Sequence, residues 1–321
     1  RMVQLDHMTG GRAIFGSGPG ALPSDAYTLG IDPMTQRDRQ DEAIGVIKRL
    51  MKGEDRFDHE SEWFTLKNAA LQLLPLQEDM EFVVASMISP SGMTLAGKYG
   101  AGALSIGSMS TAGLQSLPLQ WSFAQDSAEK HGKSVDRSNW RIVMNFHIAE
   151  TREQAREEAK HGLMKWHNEY TVGTLMRPGA EIYDSPDEAV DDMAFGDNSA
   201  IVIGTPDDLV DSIRKMYELT GGFGTVIGFV HDWCTPEQNF RSWDRVARYV
   251  VPEINGYLKA YRKSQQDVIE NREVFDRAGE AVASKIMENE KAVKALAEQA
   301  NAGSAMQSPN APDLNEMTTK V

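Results

Sequence analysis

EFVVASMISPSGMTLAGKYG, residues 81–100, joins a short apolar strand to the start of a helix. Residues 82–85 form an uninterrupted apolar run, which is typical of a strand buried on both faces. Ser89 followed by Pro90 is the pattern of a helix N-terminus, with serine as the cap and proline at the first helical position. Gly100 predicts the end of that helix.

A strand that leads directly into a helix leaves several backbone N–H groups without intrahelical partners at the helix N-terminus. Such a terminus favours an anion, most often a phosphate group. The same residues also suit an ordinary capped turn, because Thr205-Pro206 and Thr235-Pro236 repeat the hydroxyl–proline pattern with no ligand implied. The residues alone leave both interpretations open.

Composition excludes several classes of protein. The 321 residues are 41% hydrophobic and 25% charged, as in a soluble globular protein. The net charge of −14 argues against nucleic acid and anionic membranes as partners, because both require a basic surface. Cys234 is the single cysteine, which excludes a disulfide framework. Without a membrane-spanning apolar run or a signal-peptide pattern, we expect a cytoplasmic protein.

Short apolar strands followed by helical patterns recur along the chain, near residues 13, 82, 103, 140 and 225. This alternation predicts a parallel sheet covered by helices. A doubly wound open sheet and a closed eight-unit barrel both fit the order of elements. In a barrel, the functional site lies at the carboxyl ends of the strands, where Ser89, His147 and His231 would then be found.

Two segments between the main strands carry further predictions. The loop at residues 16–33 contains Pro19 and Pro23, which we expect to prevent an immediate helix. The strand-like pieces at residues 63–66 and 71–74 predict a hairpin-like excursion.

The pattern also predicts how the chain divides. Residues 1–258 carry the repeated strand–helix units, interrupted by an irregular excursion or lid at about residues 171–200. From about residue 252 the pattern is one long charged helix, which gives a C-terminal helical extension at residues 259–300. Residues 301–321 are poor in large apolar side chains and predict a disordered tail.

Four runs of sequence carry a resemblance to a known family: LDHMTGGRAIFGSGPGALPSDAYTLGIDP, WFTLKNAALQLLP, ASMISPSGMTLAGKYG and VIGTPDDLVDSI. Together they resemble the bacterial luciferase-like flavin monooxygenases, in particular the limonene monooxygenase branch, with alkanal monooxygenase (bacterial luciferase) more distant. The resemblance covers about residues 1–258. It implies a (β/α)8 TIM barrel with an insertion after strand seven. By this alignment the chain supplies strands four to eight and lacks the N-terminal part with the first three units.

The resemblance also implies a cofactor, which is reduced FMN, or a deazaflavin in one branch of the family. With O2, reduced FMN gives a C4a-peroxyflavin that oxygenates the substrate. The phosphate-binding turn of the family matches residues 89–93, in agreement with the anion argument. The loop after strand four, which passes near the flavin, matches residues 18–21. The candidate cofactor-binding residues are therefore Gly18, Gly20, Ala21, Ser89, Ser91, Gly92 and Met93.

The resemblance leaves two parts of the site unfilled. In bacterial luciferase an arginine in the loop after strand four binds the phosphate, and Pro19 takes that position here. The main active-site histidines of the branch fall in the missing N-terminal part.

The candidate catalytic residues are His147, His231 and Asp232, which all lie near strand ends. For His147 the alternative is a hydrogen-bonded core histidine. Asp232 can orient the neighbouring His231 imidazole, although adjacent residues in an extended chain often point apart. Trp166 could wall a flavin or substrate pocket, but the apolar face of an amphipathic helix explains it better. The histidines show no metal-ligand spacing, so we expect no metal site.

These observations predict a flavin-dependent monooxygenase that uses reduced FMN and O2 to oxygenate a small apolar organic substrate such as a terpene or an aldehyde. A separate flavin reductase would supply the reduced FMN, and we expect a homodimer. Two alternatives remain open: a deazaflavin-dependent oxidoreductase of the same superfamily, and a non-catalytic flavin-binding partner subunit.

Overall fold

A parallel β-sheet organises most of the chain. The computed structural model describes residues 1–106, 111–177, 179–195 and 199–295, without the side chains of residues 111 and 112. The chain divides into two units, Arg1–Asn255 and Gly256–Val321. The sheet belongs to the first unit. The predicted limits of the barrel domain, the helical extension and the tail stay predictions.

The described strands are β1 Phe15–Ser17, β2 Phe57–Glu60, β3 Thr65–Ala69, β4 Phe82–Ser86, β5 Gly102–Ser105, β6 Trp140–Ile148, β7 Ile201–Gly204 and β8 Thr225–Phe229.

The described helices of the first unit are α1 Met2–Thr9, α2 Pro23–Leu29, α3 Gln36–Met51, α4 Ser91–Tyr99, α5 Thr111–Lys130, α6 Arg152–Trp166, α7 Pro186–Phe195, α8 Pro206–Thr220, α9 Pro236–Arg245 and α10 Val251–Ile254. Two π-helical segments, His167–Val172 and Val246–Val250, continue α6 and α9.

The main strands follow one another across the sheet in chain order. β1 pairs with β4, β4 with β5, β5 with β6, and β6 with β8, and all four pairings are parallel. A doubly wound sheet reverses its strand order at a switch point, whereas a barrel wall grows in one direction. β6 also pairs in parallel with β7, which lies between β6 and β8 along the chain. The five strands β1, β4, β5, β6 and β8 show no reversal, so the order favours the barrel. The prediction of a parallel α/β sheet is confirmed.

Strand β6 separates two apolar clusters. Its residues Ile142, Met144 and Ile148 pack in the main core with side chains of α5 and α8. Asn145 and His147 alternate with these residues and therefore point to the other face of the sheet. That face carries the second cluster, formed by side chains of α6, α7 and β7 together with Trp233.

Helix α4 packs unusually closely against its neighbours. A Cβ atom added to Gly97 would lie 2.2 Å from the carbonyl oxygen of Ala124 on α5. A Cβ atom added to Gly92 would lie 2.4 Å from the carbonyl oxygen of Ala85 on β4. Both neighbours are backbone atoms, which cannot turn aside as a flexible side chain can. The two glycines therefore fix the distance of α4 from β4 and from α5.

The expectation that Pro19 and Pro23 prevent an immediate helix is wrong for Pro23. Helix α2 begins at Pro23, which occupies the first helical position, and ends at Gly30 in the left-handed conformation with φ 64°. Proline is favoured at the first turn because the N–H group that it lacks would have no intrahelical partner there. The strand before this loop begins at Phe15, two residues later than the apolar run that starts at Ala13.

The predicted hairpin forms, but with a different pair of strands. β3 includes part of the predicted piece at residues 63–66, and it pairs antiparallel with β2, which is more polar. Residues 71–74 are irregular, and their leucines are largely exposed.

Two predictions about irregular and helical segments need correction. Residues 171–200 contain α7, whose Ala189 and Val190 are buried. The predicted single helix from residue 252 is interrupted: the second unit contains α11 Lys259–Glu270 and α12 Arg272–Met287, separated at Asn271. Within the described ranges, no helix combines the length and the hydropathy needed to cross a membrane.

We predict that Gly97→Ala lowers the free energy of unfolding by about 1–3 kcal/mol, because the added methyl group meets the α5 backbone. Urea unfolding followed by circular dichroism measures the change. The matched control is Gly279→Ala on α12, where nothing lies within 4 Å of the added Cβ atom. The control should leave the unfolding midpoint unchanged or raise it. Equal behaviour of the two variants would contradict the close packing of α4.

Candidate active site

The turn at residues 89–93, which we call the serine turn, connects β4 to α4. Helix α4 begins at Ser91, one residue later than predicted, and Pro90 rather than Ser89 occupies the cap position. No side-chain hydrogen bond caps this helix. The Ser89 and Ser91 hydroxyl oxygens lie 2.8 Å apart on the exposed side of the turn. The first N–H groups of α4 therefore have no side-chain cap, although Gly92 and Met93 are themselves buried.

A depression of about 300 Å³ lies beside the serine turn. Ser89, Pro90, Ser91, Thr94 and Leu95 line one side of it, and Arg37, Asp38 and Asp41 of α3 line the other. Asp41 is already occupied, because Lys98 Nζ lies 2.7 Å from its carboxylate and the Tyr99 hydroxyl donates to it. Arg37 is exposed. It brings a positive charge to the α3 side of the depression, where the exposed Asp38 brings a negative one.

The loop after β1 lies at the same edge of the sheet as the serine turn. Ser17 of β1 pairs with Val84 of β4, so the two strands end side by side. A Cβ atom added to Gly18 would lie 3.5 Å from the Cβ atom of Ala85. Gly20 adopts a left-handed backbone with φ 94° beside Gln36, and Ala21 is exposed.

A larger depression of about 650 Å³ lies elsewhere on the first unit. Its lining includes Asp79, which precedes β4, and Lys133, which precedes β6. These positions belong to the amino ends of the strands. Barrel enzymes place their chemistry at the opposite, carboxyl edge. The smaller depression therefore has the better position for a cofactor.

Three ring side chains follow one another at two-residue spacing where β8 ends. Phe229, His231 and Trp233 form this aromatic row. The His231 ring stacks on Trp233 at 4.2 Å between centroids and on Phe229 at 4.9 Å. Trp166 of α6 meets the His231 ring edge-on at 4.9 Å. Phe229 is 46% exposed and Trp233 only 4%, so the row runs from the open face of the sheet into the second cluster.

Two side-chain contacts fasten the segment after β8 to β6. His231 Nε2 lies 2.9 Å from Asn145 Oδ1, and Cys234 Sγ lies 3.6 Å from His147 Nδ1. His147 Nε2 in turn lies 2.8 Å from a carboxylate oxygen of Glu158 on α6. Both ring nitrogens of His147 are therefore occupied, and the residue is only 2% exposed.

Burial keeps these groups uncharged. It lowers the pKa of His231 to about 4, against a smaller opposing effect of the Asp232 carboxylate. Burial also lowers the pKa of His147, although the Glu158 carboxylate opposes it, and raises the pKa of Cys234 to about 11. At neutral pH this part of the site therefore presents neutral imidazoles and a neutral thiol.

The structure brings the predicted residues together in two groups. Gly18, Gly20 and Ala21 lie with the serine turn at the ends of β1 and β4. His147, His231 and Asp232 lie at the ends of β6 and β8, although Asp232 is exposed and His231 Nε2 is hydrogen-bonded to the amide oxygen of Asn145 instead. Strand β5 separates the groups, so about 10 Å lies between β4 and β6. Their catalytic and cofactor-binding roles stay predictions.

Sequence reasoning missed Arg37 and Asn145. Arg37 is far from the serine turn along the chain, and only the packing of α3 beside α4 brings the two together. Asn145 lies inside a strand whose other residues are mostly apolar. A polar side chain within this apolar strand was the one feature of the sequence that could have indicated a role for Asn145. Within the part of the chain that the structure describes, no group of His, Cys, Asp or Glu side chains is arranged to hold a metal ion.

Known proteins are similar to this chain in sequence and in fold. The family described as Luciferase-like monooxygenase matches residues 1–222. 4-Hydroxyprotoasukamycin monooxygenase of Streptomyces nodosus subsp. asukaensis is 40% identical over 261 residues, covering 80% of this chain and 70% of that protein. Limonene 1,2-monooxygenase of Rhodococcus erythropolis is 38% identical over 299 residues, covering 92% and 75%.

A solved structure of another protein is similar to this chain in fold. The oxygenating constituent of 3,6-diketocamphane monooxygenase from Pseudomonas putida, a type II Baeyer–Villiger monooxygenase in complex with FMN, superposes with a TM-score of 0.61. It is 24% identical, with 78% of this chain and 74% of that chain covered. The strand order described above and this likeness confirm the predicted luciferase-like barrel fold.

The low pKa of His231 makes stability depend on pH. The unfolded chain binds a proton at this residue near pH 6.5, whereas the folded chain binds it only near pH 4. The contribution of the neutral His231 to the free energy of unfolding is therefore complete above pH 6.5 and is lost as the pH falls towards 4. We predict that this residue accounts for a loss of up to about 3 kcal/mol in the free energy of unfolding over that range.

Urea unfolding at several pH values measures this effect. His231→Phe should show a shallower fall in stability between pH 6.5 and 4 than the unmodified chain. His161→Gln, at an exposed position on α6, is the matched control and should keep the original slope. An unchanged slope in His231→Phe would show that this imidazole is not desolvated.

Proposed function

Because the chain belongs to the luciferase-like monooxygenase family, we propose that it is an oxidoreductase that uses reduced FMN and O2 to oxygenate a small apolar organic substrate. The names of the relatives support this proposal, since one acts on limonene and the 3,6-diketocamphane enzyme is in complex with FMN. A terpene or an aldehyde is the substrate class we favour.

The observation that carries the proposal is the fit of the serine turn to a phosphate group. The turn offers the Ser89 and Ser91 hydroxyls and the uncapped N–H groups at the start of α4. Gly92 leaves no side chain between the turn and β4. Arg37 lies across the depression. Its positive charge would replace that of the phosphate-binding arginine of bacterial luciferase, whose position is taken by Pro19 in this chain. A dianionic phosphate is favoured by all four features.

The remaining residues would place the rest of the flavin and the substrate. The loop with Gly18, Gly20 and Ala21 would pass along the flavin, at the edge that it shares with the serine turn. On β8, Ile227 is 36% exposed and Phe229 is 46% exposed, which provides an apolar wall. Bound reduced FMN would supply the oxygen-activating chemistry, and a separate flavin reductase would supply reduced FMN. The protein would orient both reactants and exclude water.

The two candidate histidines have different roles in this proposal. His231 is half-buried in the apolar wall and is the polar group that a substrate could reach. His147 is enclosed between Glu158 and Cys234, so it would hold the segment after β8 in place rather than touch the substrate. Asp232 is exposed on the same segment. A homodimer stays a prediction, which analytical ultracentrifugation would test.

We predict that Ser89→Ala combined with Ser91→Ala weakens FMN binding by about 1–3 kcal/mol, because two hydroxyl donors to the phosphate are lost. Arg37→Ala should weaken it in the same direction. Fluorescence titration with FMN measures the dissociation constant.

Riboflavin, which lacks the phosphate, is the matched ligand for this experiment, and it should bind the variants and the unmodified chain equally. Ser122→Ala on α5 is the matched control variant. Unchanged FMN affinity in the double variant would refute the phosphate assignment at the serine turn.

Oxygenation is tested by isotope labelling. We predict that the protein, given reduced FMN from a flavin reductase and limonene as the probe substrate, incorporates one atom of heavy-isotope O2 into the product. Mass spectrometry measures the incorporation, and a reaction without the protein is the control. Binding of reduced deazaflavin in preference to reduced FMN would favour the deazaflavin alternative instead. Flavin binding without oxygenation of any terpene or aldehyde would favour a partner subunit.

A further inference from the structure

The aromatic row contains one polar ring, and its surroundings restrict what that ring can do. Phe229 and Trp233 stack on the His231 imidazole, the latter nearly parallel with 4° between the planes. Trp166 forms a T-shaped pair with it, with the ring centroids 4.9 Å apart. The imidazole can therefore interact with a ligand only through a ring nitrogen.

Asn145 determines which nitrogen remains. His231 Nε2 lies 2.9 Å from Asn145 Oδ1, and an amide oxygen can only accept, so this contact requires the hydrogen on Nε2. Asn145 is 0% exposed and pairs in register with both Ile201 of β7 and Phe229 of β8, so its position is fixed by the sheet. The proton of the neutral imidazole is then on Nε2, and Nδ1 carries the lone pair. Nδ1 of His231 has no hydrogen-bond partner among the described residues. It is also not one of the fully buried side-chain atoms that lack a partner, so the described residues do not enclose it completely.

The buried amide of Asn145 lowers the stability of the fold. Its Nδ2 group is enclosed and has no hydrogen-bond partner in the described structure. A buried donor without a partner destabilises a protein, and an apolar side chain of similar size would avoid that penalty. The contact that the amide does make is the one to His231. Because the amide leaves one group unpaired and uses the other to contact His231, we infer that Asn145 orients the imidazole.

We propose that Asn145 is a positioning residue that holds His231 in the Nε2–H tautomer, so that Nδ1 accepts a hydrogen bond from a hydroxyl group of the substrate. Within the proposed class of apolar substrates, this contact favours a skeleton that carries a hydroxyl, such as a terpene alcohol, over a pure hydrocarbon such as limonene or a carbonyl compound without a hydroxyl. The inference rests on the proposed function for the location of the substrate. The low pKa of His231 supports it, because an imidazolium would have no lone pair to offer.

The tautomer is tested directly by NMR. Long-range proton–nitrogen spectra of histidine-labelled protein, assigned with His231→Gln, should show the Nε2–H form of His231 at neutral pH. Asn145→Leu should give a mixture of both tautomers while the protein stays folded. Asn145→Asp should restore the Nε2–H form, because a carboxylate oxygen also accepts from Nε2. An Nδ1–H form in the unmodified chain, or no change in Asn145→Leu, would overturn the proposal.

The substrate class is tested with two probes of nearly equal size on flavin-free protein. Cyclohexanol can donate a hydrogen bond to Nδ1, whereas cyclohexanone can only accept one. We expect cyclohexanol to bind about fivefold more tightly, and to shift the Nδ1 resonance of His231. His231→Phe, which keeps the stacking, should abolish the preference. Equal affinities in the unmodified chain, or binding of neither probe, would contradict the inference.

The outcome is separable from the proposed function because no flavin is present in either measurement. Failure to bind FMN, with the alcohol preference intact, would remove the proposed cofactor and leave the role of Asn145 standing. Normal FMN binding without the preference would remove only the role assigned to Asn145 and His231.

Discussion

Strand β6 makes main-chain hydrogen bonds to three other strands, and both the fold and the candidate site depend on it. Pairing with β5, β7 and β8 holds the carboxyl half of the sheet together. Because side chains alternate along a strand, the same nine residues also supply the main core on one face and the site on the other. Ile142 and Met144 bury against the helices, whereas Asn145 and His147 turn towards the segment that follows β8. Moving this register by one residue would exchange the two sets.

Close backbone approach is the second constraint. Gly92 and Gly97 allow α4 to contact β4 and α5 without a side chain between them, and Gly162 allows α6 to contact the backbone of Trp233. An added Cβ atom at Gly162 would lie 2.2 Å from the Trp233 carbonyl oxygen. These three contacts fix the position of the serine turn at one end of the site and of the aromatic row at the other. The site is thus held by packing of the barrel wall as much as by hydrogen bonds.

The two ends of the site differ in their electrostatics, and the difference suits a ligand with one charged and one apolar end. The serine turn combines hydroxyls, helix N–H groups and Arg37 in a chain whose net charge is −14. The aromatic row instead desolvates its histidine until the neutral form dominates. A flavin mononucleotide has this same polarity, with the phosphate at one end and the ring at the other. In the proposed function, the serine turn would hold the phosphate group of FMN and the aromatic row would lie towards its ring.

The sequence by itself determined the local features. The apolar runs at β4, β5 and β6, the capping residues Thr205 and Thr235, and the serine turn at a strand end all follow from short-range physics, and the motifs indicated the family. Thr151 and Gln154 have the spacing of a capping box, but only the Thr151 side chain caps α6, because the Gln154 side chain donates to Glu158 instead. Pro23 began a helix where it was expected to prevent one, since proline is unfavourable inside a helix and favourable at its start. The tertiary structure alone decided that Arg37 faces the serine turn and that Asn145, not the adjacent Asp232, contacts His231. Those pairings join residues that are distant along the chain, and they depend on strand register and helix packing, which no local pattern of residues encodes.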